Sequence, residues 1–150
     1  MPDDEVIRSV ERISIHSGTI TTRALAVHPE VRELTVTQYR IFALVATAPD
    51  GMRILELAQL AATGPQATTR LVQRLETKRL VWTERGLLAD RRAVVARTTS
   101  EGRRAWEEIS VRRRELFAEA LGRVRLRSGA ASTLDLVAQA LEQANRRREG

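Results

Sequence analysis

The residues best suited to chemistry stand close together between Gln66 and Arg74. Gln66, Ala67, Thr69, Arg70, Gln73 and Arg74 share one side of a helix predicted from Pro65 to about Lys78, and Leu71, Val72 and Leu75 form its apolar side. No acidic residue interrupts the polar side before Glu76. The chemistry on offer is recognition rather than bond-making: a Gln amide pairs bidentately with adenine, Arg pairs with guanine, and the methyls of Ala and Thr meet the thymine methyl. An ordinary solvated helix face is the plain alternative. A face without acids over two turns nevertheless fits a phosphate surface better than simple exposure to water.

The flanking elements must present that helix. Asp3 or Asp4 can cap a first helix carrying Val6, Ile7, Val10, Ile13 and Ile20, which ends before Pro29. Thr37 is the expected cap of a second helix with Ile41, Phe42, Leu44 and Val45 on one apolar face, closed by Pro49-Asp50-Gly51. After the short run Met52-Arg53-Ile54, a helix through Leu57, Ala58 and Ala61 leads to Thr63-Gly64, and Pro65 is suited to the first position of the next helix. Leu80 to Arg85 and Ala93 to Thr98 alternate like paired strands, and Gly86 to Arg92 between them makes a basic β-hairpin. Thr99 or Ser100 caps a long helix with Ala105, Trp106, Ile109, Leu116 and Leu121, and a final amphipathic helix runs from about Ser132 through Leu134, Val137, Ala138 and Leu141.

Composition narrows the possible partners. The 150 residues suit a single domain with one substantial core and carry a net charge of +6. That charge is local, since Gln66 to Arg114 holds thirteen basic residues against six acidic ones. Such an excess suits a polyanion. The absence of Cys removes disulfides, thiolate nucleophiles and cysteine-based zinc or redox sites. His16 and His28, the only histidines, are not at helical i, i+4 spacing, so a metal site is not expected. Neither is a cofactor, because no Gly-rich phosphate loop follows a strand. The pattern therefore gives no enzyme constellation. No apolar run reaches the ~20 residues needed to cross a bilayer. With an acidic start at Asp3-Asp4-Glu5, the expectation is a cytoplasmic protein without a membrane partner.

The order helix, helix, turn, helix, basic hairpin suits double-stranded DNA, because a helix fits the major groove and a hairpin reaches the adjacent minor groove. At this level Leu34 to Gly102 closely resembles the MarR family of winged helix-turn-helix regulators. Leu34-Thr35-Val36-Thr37-Gln38-Tyr39-Arg40-Ile41 looks like the family's entry into its second helix, and Pro65 to Glu76 looks like its recognition helix. Asp90-Arg91-Arg92-Ala93-Val94, with Thr99-Ser100-Glu101-Gly102 downstream, looks like the wing and its exit. The sequence departs from the pattern at Ala62 and Arg79, where the family more often has Gly, at Thr63, at Gly64 in place of a capping Ser or Thr, and at the apolar wing tip with Leu87 and Leu88.

The resemblance implies a mainly α fold with a small β-hairpin wing. About 34–102 would form the DNA-binding lobe, with dimerisation helices at about 4–28 and 103–147. It puts Gln66, Ala67, Thr69, Arg70 and Gln73 against base edges and backbone, with Arg74 nearer the phosphates. It makes Arg92 the side chain inserted in the minor groove, with Asp90 supporting the wing and Arg85 and Arg91 on phosphates. The implied function is that of a homodimeric transcription regulator, a repressor, released by a small-molecule effector. Such effectors bind between the dimerisation helices and the DNA-binding lobe, a region that would include His16, Arg23, Tyr39 and Arg40. A winged-helix module binding protein or RNA without a specific operator remains the alternative.

Overall fold

A carboxylate starts the first element. In the computed structural model, which describes residues 3–86 and 92–146, Asp3 Oδ1 accepts the Glu5 N–H at 3.1 Å and caps α1 (Asp4–Leu25). The next cap differs from expectation. Helix α2 (Val36–Ala46) is capped by Thr35, not Thr37: Thr35 Oγ1 accepts the Gln38 N–H at 3.2 Å, and the Gln38 side chain accepts the Thr35 N–H at 2.9 Å. Two reciprocal bonds decide between neighbouring threonines.

Met52-Arg53 forms a short strand, β1, that sequence reading left unassigned because two residues carry no period. It leads directly into α3 (Ile54–Leu60), and α4 (Pro65–Thr77) follows with Pro65 in its first turn. Strands β2 (Val81–Arg85) and β3 (Val94–Thr98) pair antiparallel, with Val81 opposite Thr98 and Arg85 opposite Val94. Met52 lies opposite Ala96, so the sheet has the order β1-β3-β2. Gly51 makes the close approach before β1: its φ is 77°, and a Cβ there would stand 2.6 Å from the Ala96 carbonyl oxygen.

Helix α5 (Ser100–Leu121) begins against the sheet. Thr99 Oγ1 accepts the Gly102 N–H at 2.9 Å and caps it, and a Cβ on Gly102 would run into the Leu80 carbonyl. Helix α6 (Ala130–Arg146) closes the described chain. The core gathers Ile41, Phe42 and Val45 of α2, Leu57 of α3, Val72 and Leu75 of α4, Leu80, Val81 and Ala96 of the sheet region, and Ala105 and Ile109 of α5. Leu71, expected in that core, is only half-buried, and Thr68 is fully buried on the same helix. Helix α1 buries only Ala24 and Leu25, and α6 buries no residue. Among the described residues no helix is long and apolar enough to cross a membrane.

Candidate nucleic-acid interface

The start of α4 is held by hydroxyls. Gly64 supplies no side-chain cap, yet its carbonyl accepts both the Thr68 N–H at 2.9 Å and the Thr68 hydroxyl at 3.0 Å. Thr68 Oγ1 also meets Thr63 Oγ1 at 2.7 Å. The two hydroxyls satisfy each other and the Gly64 carbonyl and so tie the turn to the helix, while the first-turn N–H groups of α4 receive no side-chain cap. The turn before it contains Ala62 at φ 53°, and Arg79 after the helix has φ 58°. These are the two positions where the resemblance led to an expectation of Gly, and the left-handed backbone is the physical reason.

All six residues expected to meet DNA are exposed: Gln66, Ala67, Thr69, Arg70, Gln73 and Arg74. Thr69 donates its hydroxyl to the Pro65 carbonyl at 3.0 Å, which leaves the methyl and an oxygen lone pair for an outside partner. Beside α4, the wing and the start of α3 enclose a groove of about 460 Å³ whose walls include Gln66, Thr69, Gln73, Arg85, Arg92 and Arg53. The structure therefore brings Arg85 and Arg92 next to the recognition-type helix. Arg70, Arg74 and Ala67 are not part of that groove wall. Arg53 was missed by sequence reading. The signal was a basic residue just ahead of the helix-turn-helix, but its position depends on β1 pairing with the wing strand. Glu76 also lines the groove, where it accepts the Thr83 hydroxyl at 2.7 Å and braces the helix against β2. Asp90 and Arg91, assigned to the wing, and Leu87 and Leu88 at its tip lie outside the described residues.

A second concavity, of about 810 Å³, lies between α1, α2 and α5. Tyr39 and Arg40 line it, as expected, but His16 and Arg23 do not. Those two are seven residues apart and share one stripe of α1, whereas Ser14, Ser17, Gly18, Thr21 and Thr22 of the neighbouring stripe face the cleft. The cleft also contains Arg32 and Arg113, which sequence reading did not select. Its described lining residues include these three arginines and no Asp or Glu. Arg113 Nη1 donates to the Tyr39 hydroxyl at 2.7 Å, and its guanidinium lies 5.3 Å from the Trp106 ring centroid. Tyr39 stacks on Trp106 at 6.3 Å, and Phe42 meets the same indole edge-on at 6.0 Å. Burial pushes the Tyr39 phenol above its ordinary pKa, with Arg113 acting in the opposite direction. The phenol stays neutral at physiological pH and keeps a proton to donate. Among the described residues no group of His, Cys, Asp and Glu is arranged to hold a metal ion.

No family model and no curated protein matches the chain by sequence. Solved structures match it over nearly its whole length. RV1404 from Mycobacterium tuberculosis superposes with a TM-score of 0.75 at 22% identity, covering 93% of this chain and 95% of its own. A MarR family transcriptional regulator from Rhodococcus sp. RHA1 gives 0.71 at 20% identity, with 93% of each chain covered. CouR from Rhodococcus jostii RHA1, solved with p-coumaroyl-CoA bound, gives 0.69 at 17% identity over 98% of this chain and 96% of its own. The fold is the MarR-type winged helix: mainly helical, with a small three-stranded antiparallel sheet.

Proposed function

We propose that this chain is a sequence-specific double-stranded DNA-binding transcription regulator of the MarR type, acting as a homodimeric repressor and not as an enzyme. The observation that carries the reading is the exposed face of α4, whose six polar or small residues stand without an acid beside a wing groove containing Arg53, Arg85 and Arg92. Arg70 and Gln66 have the donor and acceptor geometry for base edges, and Arg74 and Arg85 the charge for phosphates. Arg92 enters the minor groove, where the potential of a narrow groove favours a guanidinium.

Dimerisation is supported by the terminal helices. Ile13 and Ile15 of α1 are 55% and 69% exposed, and Leu136 of α6 is 66% exposed. Apolar side chains in that density gain by meeting a second copy. Two copies related by a two-fold axis would offer α4 helices to successive major grooves about 34 Å apart.

The α1–α2–α5 cleft is the proposed effector site. Its three arginines, neutral Tyr39 and the hydroxyls of α1 suit a small organic anion, and CouR's ligand, p-coumaroyl-CoA, is an anion carrying a phenol. Selection of duplexes from a randomised library with purified protein tests the regulator reading. The expected product is a pseudo-palindromic site with half-sites one helical turn apart. Recovery of no enriched sequence would refute it.

A further inference from the structure

Tyr39 and Arg40 are neighbours on α2 and both line the cleft, but their polar ends lead to different parts of the fold. Tyr39 accepts from Arg113 of α5. Arg40 Nη1 donates to the Ala61 carbonyl at 3.3 Å, at the C-terminal end of α3. Ala61 opens the turn of the helix-turn-helix. In that turn the Ala62 N–H donates to Gln59 at 3.0 Å and the Thr63 N–H donates to Ala58 at 2.9 Å. Ala62 has φ 53°, a conformation costly to any residue with a Cβ and kept only where the surroundings hold it. The Arg40 bond is one of those holds, and it comes from a side chain that also faces the cleft.

A neutral carbonyl at 3.3 Å is a modest partner for a guanidinium. A carboxylate or phosphate oxygen brings a full opposite charge and can accept from both guanidinium nitrogens at once, so it is the stronger acceptor. The three cleft arginines have no carboxylate among the described lining residues to compete for them, so an entering anion would be the strongest acceptor within reach of Arg40.

We propose that Arg40 is the positioning residue that couples the cleft to the helix-turn-helix: it holds the Ala61 carbonyl while the cleft is empty and exchanges that acceptor for an anionic group when the cleft is filled. Losing the bond loosens the Ala61–Thr63 turn and with it the angle at which α4 leaves α3. The coupling is local and needs no movement of the core. It rests on the cleft being the effector site proposed above.

The test is amide exchange across residues 58–66 of the full chain, read by mass spectrometry in wild type and Arg40→Gln. Sodium benzoate serves as the anion probe, with ionic strength held constant. In Arg40→Gln the segment exchanges about fivefold faster than in wild type, as expected for one lost hydrogen bond, while α2 and α5 segments keep their wild-type rates. Benzoate raises wild-type exchange to the level of the variant and leaves the variant unchanged, which a merely structural role for Arg40 would not produce. Affinity for the duplex selected by wild type falls by a similar factor in the variant. Equal exchange in the two proteins, no effect of benzoate on wild type, or an equal effect on both would overturn the proposal. Should wild type select no duplex, the regulator reading fails, and the exchange comparison still decides the role of Arg40.

Discussion

Among the described residues the wing groove and the helical cleft each contain three arginines, yet the two suit different partners. In the groove, Arg53, Arg85 and Arg92 lie beside a helix that exposes Gln66, Arg70 and Gln73. In the cleft, Arg32, Arg40 and Arg113 sit among hydroxyls of α1 and the phenol of Tyr39, with Arg113 already bonded to Tyr39 and Trp106 packed against both. Open charge along an exposed helix matches a long polyanion whose phosphates recur along a rod. Charge beside a phenol and several hydroxyls, with no acid among the described lining residues, matches one small anion. The number of arginines is the same. What separates the two sites is the exposed helix face beside one of them and the neighbouring groups that share the bonds in each.

Substitutions that affect one site and spare the other sharpen this contrast. The largest effect is expected from Arg70→Ala, which should cost about 10- to 100-fold in affinity for a selected duplex and relax base preference at one position, as measured by fluorescence anisotropy across single-base variants. Arg92→Ala should weaken the same duplex about tenfold and lower the slope of log affinity against log salt by about one. Neither change should alter benzoate-induced quenching of tryptophan fluorescence, which reports on the cleft through Trp106. Arg113→Gln should do the reverse, weakening that quenching about fivefold while leaving salt dependence on DNA intact. Loss of quenching in Arg92→Ala would break the contrast, because it would mean that the two sites are one.

Two further changes probe the scaffold between the sites. Thr68→Val removes the hydroxyl bonded to Gly64 and Thr63 and should lower stability by ~1 kcal/mol in a urea titration. Ala62→Gly relieves the left-handed strain and should raise stability by ~0.5–1 kcal/mol. A gain there would also identify the turn as strained.

The two sites were also unequally legible. The α4 face is legible because its residues are contiguous and follow one helical period, which gives Pro65, the buried Val72 and Leu75, and the exposed Gln66, Ala67, Thr69, Arg70, Gln73 and Arg74, though not the buried Thr68. The hairpin strands were read to within a residue for the same reason. Local signals still misled in detail: Thr37 is the cap expected from sequence, although Gln38 stands three residues after Thr35, the spacing of a capping box. Strand β1 has only two residues, and its existence depends on Ala96 and Val95 across the sheet. The cleft is assembled from positions as distant as Thr21, Tyr39 and Arg113, and no period links them. The resemblance brought Tyr39 and Arg40 to attention but also His16 and Arg23, which share a helical stripe directed away from the cleft. Arg32 and Arg113 gave no local signal, and only the packing of α5 on α2 and α1 unites them with Tyr39.

The most direct measurement is the ratio of affinities for a selected duplex and for its scrambled counterpart at one fixed salt concentration, in wild type and in Arg70→Ala. If α4 reads bases, the wild-type ratio is on the order of a thousand or more. It then falls at least about tenfold in Arg70→Ala, while affinity for the scrambled duplex changes far less. A wild-type ratio near one, or a ratio unchanged by Arg70→Ala, would contradict the assignment of α4 as the reading helix.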